Sequence, residues 1–267
     1  MMAMCIAKEI IEKTGFTKTL DLFCGAGGMT NGFKKAGMQS IMATDFDVDA
    51  CVTCKVNNPE IPVLCGDITD PSVKDEIINV AKNEGCEIVC GGPPCQGFSL
   101  AGKRFIDDPR NQLFKHFVEV VSEVNPKIVV MENVEGILTF DKGNVYKQIL
   151  DLFSSLGYST EGRVLSSLDY GVPQKRKRVI IIGVKSCLNI PPADLYPRKV
   201  TVESKNITVA KDVLCDLYNV DCGDDAKYPD VRSLPLYIQE MRGLETYGFH
   251  LKTASGVWKK SYQATLL

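Results

Sequence analysis

The chain has little histidine and tryptophan, no long uninterrupted apolar run, and no excess of positive charge; each shortage excludes something. Its only histidines are His116 and His250, and its 267 residues include one tryptophan. No second Cys/His pair therefore lies at finger distance from Cys51-x-x-Cys54, and no metal is assigned. That pair reads instead as a helix placing two small apolar side chains against a sheet. The opening run from Met1 to Ile10 meets charge after seven residues, at Lys8. It is too short for a signal-peptide core with its cleavage site and far too short to span a bilayer, so no membrane partner is expected. A formal net charge of −2 gives no global field toward nucleic acid, so any such contact must come from local patches. Eleven cysteines, an odd number scattered through apolar segments without a secretory signal, point to reduced thiols and a cytoplasmic location.

What is present is an alternation. Strand-like runs at 18–23, 40–44, 62–65, 87–90 and 127–131 are each followed by a helix-like run, at 28–36, 48–57, 72–83, 112–124 and 145–156. Such repetition implies parallel βαβ units with helices on both faces. Segments 158–165 and 178–184 have no helix between them and read as a terminal strand pair, which puts one antiparallel strand in the sheet. The expected fold class is α/β, a doubly wound and mostly parallel sheet, with a small irregular C-terminal region. Beyond Val184, Pro191-Pro192, Pro197 and the acidic turn 221–225 break up short segments, so a domain boundary is expected near 185, dividing 1–185 from 186–267.

Gly91-Gly92-Pro93-Pro94-Cys95-Gln96-Gly97-Phe98-Ser99 is the most informative stretch. Its two prolines end the fourth strand and stiffen the exit. Cys95 is thus set just past the carboxyl end of a strand, beside the crevice where open α/β sheets bind ligands. Three further blocks accompany it: Asp21-Leu22-Phe23-Cys24-Gly25-Ala26-Gly27-Gly28, Met131-Glu132-Asn133-Val134, and Gln174-Lys175-Arg176-Lys177-Arg178. In this order the four resemble motifs I, IV, VI and VIII of the cytosine carbon-5 DNA methyltransferases, over about residues 18 to 184. The resemblance makes 1–185 the catalytic and cofactor-binding domain, of the S-adenosylmethionine-dependent methyltransferase fold, and 186–267 a partial target-recognition domain.

The residues agree with such a cofactor. The turn from Phe23 to Gly27 follows a strand and opens a helix, yet it is no dinucleotide fingerprint, because Thr30 stands where a third glycine belongs. S-adenosylmethionine has no pyrophosphate to place there; its methionine end needs room and backbone contacts. Asp45, at the end of the second strand, can accept the ribose hydroxyls, and Phe46 can stack on adenine. Asp67 can accept the adenine amino group while Ile68 packs on the ring. The resemblance assigns Phe23, Gly25, Gly27, Asp45, Phe46, Asp67, Ile68, Pro93 and Leu113 to cofactor binding. The ribose acid is often glutamate in the family, so Asp45 reaches less far.

The chemistry needs a nucleophile, because cytosine carbon-5 is too weak to attack a sulfonium methyl group unaided. A thiolate adding to carbon-6 creates an enamine, and Cys95 is the residue expected to supply it. Arg176 and Arg178 alternate with Lys175 and Lys177 and so share one face of a strand. By resemblance these arginines hold the target base and its loop. Glu132, expected at the end of the fifth strand, would bond cytosine N3 and the exocyclic amine, with a raised pKa in a closed pocket. Asn133 can pin the adjoining turn. The sequence does not name the base that removes the carbon-5 proton. Segment 97–110 has no period and reads as a lid over DNA, with Ser99, Lys103 and Arg104 on phosphates. Reaching Cys95 requires the base to leave double-stranded DNA.

Motifs IX and X are not found after Val184, and the last residues, 257–267, resemble a recognition-region strand. The expectation is a chain of restriction-modification type that needs a second polypeptide carrying motifs IX and X. Residues 2–11 read as an amphipathic helix; it resembles the helix after the motif X turn, and an ordinary leader helix is the equal alternative. Two other functions stand beside the leading one: a transfer-RNA cytosine-5 methyltransferase, and a non-catalytic regulatory chain that binds S-adenosylmethionine or DNA.

Overall fold

The computed structural model describes residues 2–94, 113–172 and 174–199, together with the backbone of 226–227 and 257–258. A seven-stranded sheet runs in the order β3-β2-β1-β4-β5-β7-β6. Its strands are β1 (Lys18–Leu22), β2 (Gln39–Asp45), β3 (Val63–Cys65), β4 (Ile88–Gly91), β5 (Ile128–Val134), β6 (Tyr158–Ser166) and β7 (Lys177–Lys185). The first five pair in parallel, while β7 lies antiparallel to both β5 and β6. The helices are α1 (Met2–Thr14), α2 (Gly28–Lys35), α3 (Val48–Asn57), α4 (Pro71–Asn83), α5 (Leu113–Val124) and α6 (Asn144–Ser155). This is the doubly wound architecture the alternation implies. A two-residue ladder, Ala226–Lys227 with Val257–Trp258, is antiparallel. Among the described residues no helix is long and apolar enough to cross a membrane.

Local chemistry explains the element ends. Asp47 caps α3 by accepting from the Ala50 amide at 3.0 Å. Asp70 caps α4, with Pro71 in its first turn, by accepting from Ser72 N at 2.8 Å. Central strands are apolar on both faces because helices cover both. Val89, Val129 and Met131 join Phe117, Val121 and Phe153 on one side. Ile88, Val130 and Ile182 join Ile6, Ile10 and Phe33 on the other. Leu195 and Tyr196 belong to this second core, and the Tyr196 hydroxyl lies 2.6 Å from Glu161 O and 2.7 Å from Ile180 O.

One expectation needs correcting. β5 continues to Val134 because β7 pairs with it along that whole length, Val134 facing Arg178. Glu132 therefore lies inside a strand, not at its end. Beyond β5 the sequence pattern gave no sign of two 3-10 turns, Glu135–Leu138 and Phe140–Gly143. The second of these contains Asp141 and Lys142 at positive φ.

α1 packs on α2, the helix that follows the first glycine turn. Gly32 makes this possible: a Cβ there would come within 2.7 Å of the Ala3 Cβ and 3.1 Å of the Met4 amide nitrogen. Gly32→Ala should therefore lower stability in urea unfolding by about 1–3 kcal/mol, overriding alanine's roughly 1 kcal/mol advantage as a helix former.

Candidate functional site

The carboxyl ends of β1 to β5 lie along one edge of the sheet, and expected site residues among those described gather there. After β1 the chain turns through left-handed backbone at Phe23, Gly25 and Gly27, with φ of 58°, 53° and 85°. Gly27 has no room for a side chain, since a Cβ would approach the buried Cys54 Sγ to 2.8 Å. Asp45 ties this turn to β2. Its Oδ2 accepts from the Gly25 amide at 2.8 Å and its Oδ1 from the Asp47 amide at 3.0 Å. Phe46 beside it is 67% exposed, a large apolar ring standing in water.

On the neighbouring strand the Gly66 amide donates to Asp45 O at 2.9 Å, which brings Asp67 close to Asp45. The Asp67 Oδ1 accepts from the Thr69 amide at 2.9 Å. Ile68 is buried, and it shares one core with the partly buried Phe23 and Leu113. The edge thus offers a cationless glycine turn, two carboxylates on adjacent strand ends and an exposed aromatic ring. Those are acceptors for hydroxyl and amino groups with a stacking face, and the turn carries no lysine or arginine. Such a set fits the nucleoside and amino-acid ends of S-adenosylmethionine.

The second half of the edge is built across β4, β5 and β7. Glu132 receives Arg178 Nε at 2.8 Å and Arg176 Nη2 at 3.4 Å. The alternation read from the basic run accounts for this, because both arginines reach one carboxylate. Burial, and then repulsion from Arg178, pull the Arg176 pKa below its ordinary value, against the attraction of Glu132. Glu132 also lies over the exit from β4: a Cβ at Gly92 would be 3.2 Å from its Oε2. From the opposite face of β5, the buried Asn133 donates through Nδ2 to Pro93 O at 3.2 Å. Asn133 therefore pins the segment that leads to Cys95. Cys95, Ser99, Lys103 and Arg104 lie outside the described residues.

Two features were not singled out from the sequence. Asp45 holds the turn after β1 through the Gly25 amide. Asp21, buried in β1, binds Thr30 at the start of α2. The available signal was an acid between Leu20 and Leu22 in an apolar strand.

Residues 17–233 match the C-5 cytosine-specific DNA methylase family. The chain belongs to that family. It is 41% identical over 228 residues to the type II methyltransferase M.DdeI of Desulfomicrobium norvegicum, covering 84% of this chain and 54% of that protein. It is 44% identical over 177 residues to the type II methyltransferase M.AquIA of Picosynechococcus, covering 62% of this chain and 71% of that one. Among solved structures it resembles a prophage-encoded protein of E. coli, crystallised as a candidate DNA modification methyltransferase. The TM-score is 0.67 at 27% identity, over 85% of this chain and 64% of that one. This family member spans about half the length of several curated relatives, 54%, 47% and 45% of three of them.

The two acids at this edge differ in what they hold. Asp45→Ala leaves two backbone amides without their partner and should cost about 1–3 kcal/mol in urea unfolding. Asp67→Ala opens only an exposed local turn and should cost less than about 1 kcal/mol.

Proposed function

We propose that the chain is the catalytic part of a DNA (cytosine-5)-methyltransferase of restriction-modification type, using S-adenosylmethionine and acting on a cytosine flipped from duplex DNA. The observation that carries this reading is the Glu132 carboxylate, gripped by Arg176 and Arg178 directly over the Gly92–Pro93 exit. Membership of the family supports it.

Phe23, Gly25 and Gly27 would take the methionine end, Asp45 the ribose, and Asp67 with Ile68, Phe46 and Leu113 the adenine. When bound, S-adenosylmethionine supplies an electrophilic methyl group. The rest belongs to the protein. The Cys95 thiolate adds to carbon-6 of cytosine, and Glu132 bonds N3 and the exocyclic amine as electron density moves to carbon-5. Arg176 and Arg178 hold Glu132 and the base in one geometry. After carbon-5 is methylated, a base (water or a side chain) takes the carbon-5 proton, its bonding electrons re-form the 5,6 double bond, and the carbon-6–sulfur bond breaks to return Cys95 as thiolate. Ser99, Lys103 and Arg104 would meet the DNA backbone, and Pro93 would line the cofactor edge.

The test is transfer of labelled methyl from S-adenosylmethionine to carbon-5 of cytosine in unmethylated duplex, with transfer RNA as a second substrate. It is run on the purified chain alone and with a polypeptide carrying motifs IX and X. Absence of transfer in every combination, or transfer to transfer RNA alone, overturns the reading. Cys95→Ser should abolish transfer and covalent trapping on DNA containing 5-fluorocytosine, yet leave S-adenosylmethionine binding intact. Asp67→Ala should weaken that binding by about one to two decades in calorimetry, the equivalent of one lost hydrogen bond that leaves a buried partner unpaired. Glu132→Ala should lower turnover by at least about a hundredfold at a stability cost of about 1 kcal/mol.

A further inference from the structure

Asp21 is an acid placed where the fold gains least from one. It is 1% exposed, one residue before the carboxyl end of β1, and paired with Ala43 of β2 and Cys90 of β4. Its Oδ2 accepts twice from Thr30, from the amide at 3.0 Å and the hydroxyl at 2.5 Å. Its Oδ1 has no aligned donor among the described residues, although the Cys90 thiol adjoins the carboxyl group. The groups that face it are Thr30 from α2, Cys90 from β4 and the Asp45 carboxylate from β2, and none of them is a cation. Burial raises the Asp21 pKa to about 6; the Thr30 bonds oppose the rise and Asp45 adds to it. Burial also holds the Cys90 thiol protonated.

Asparagine would have nearly the same shape without a charge to desolvate, so packing alone does not account for an acid here. The location does. α2 opens at Gly27, which has no side chain to cap the helix, and the Thr30 amide is one of the donors left over at that end. A carboxylate beneath it satisfies that donor and complements the positive end of the helix. The chain from Leu22 to Met29 is then tied at both ends, to β1 at Asp21 and to α2 at Thr30.

We propose that Asp21 is the positioning residue of the glycine turn: its carboxylate clamps Thr30 and holds the turn in the form that binds S-adenosylmethionine, at the expense of fold stability. This rests on reading the turn as the cofactor site. The sign follows from the raised pKa. The favourable contribution of Asp21 to stability is fully present below the ordinary value of 3.8 and is lost as pH rises through about 6. The charged form destabilises the fold and is also the stronger acceptor for Thr30.

The experiment measures melting temperature and calorimetric affinity for S-adenosylmethionine and S-adenosylhomocysteine from about pH 5 to about pH 8. It compares wild type, Asp21→Asn and Thr30→Val. Asp21→Asn should melt several degrees above wild type at the alkaline end, and the gap should close toward the acid end. Its affinity for both ligands should be about three- to tenfold lower at the alkaline end and flat with pH, whereas wild type should lose the same factor on acidification through about pH 6. Thr30→Val, which removes one donor and keeps the acid, should move the wild-type midpoint upward, and it carries the test if Asp21→Asn does not fold. Equal affinities at the alkaline end, parallel pH profiles, an unmoved midpoint in Thr30→Val, or a loss confined to S-adenosylmethionine would overturn the proposal. If wild type binds neither ligand at any pH, the cofactor reading itself fails, a result distinct from all of these.

Discussion

Because β7 runs against its neighbours, its first residues arrive at the same edge where β1 to β5 end. A parallel strand in that place would have delivered Lys177 and Arg178 to the opposite edge, one strand length from Glu132. The reversal follows from connectivity: β6 and β7 are joined without a crossover helix, so they must pair antiparallel. β7 then inserts between β5 and β6 and pairs with β5 from Ile128 to Val134. The cationic run thus meets a carboxylate that would otherwise stand alone at the edge.

Elsewhere along the edge, carboxylates and one side-chain amide are bonded to backbone. Asp45 holds the turn after β1, Asp21 holds the helix after that turn, and Asn133 holds the exit from β4. The ties span nine, twenty and forty positions, and each satisfies backbone groups that the regular ladder and helices leave over. The apolar cores on both faces position the strands; these polar ties position what the strands end in.

Much of this was legible in the sequence, for physical reasons. Alternating strand-like and helix-like runs located the strands and helices of the sheet. The alternation of Arg176 and Arg178 anticipated that both would lie to one side, although Arg176 precedes β7, and their shared contact with Glu132 was not read from it. Glu132 was misplaced to a strand end because the residues that extend β5 belong to β7, more than forty positions later, and pairing over that distance leaves no local mark. The 3-10 turn at Phe140–Gly143 escaped because Asp141 and Lys142 take positive φ without being glycine. Asp21 escaped because a strand pattern records that a residue is polar, not what it binds nine positions on.

β5 serves the edge from its two opposite faces, Glu132 toward the arginines and Asn133 toward the Pro93 carbonyl. Substitutions at the two positions can therefore vary separately, whereas a single inserted or deleted residue in Ile128–Val134 would exchange the faces and lose both partners at once. Diversity in this strand should consequently accumulate as replacements of one side chain by another. Changes of length should be confined to the 3-10 turns beyond Val134, where the backbone already departs from regular structure.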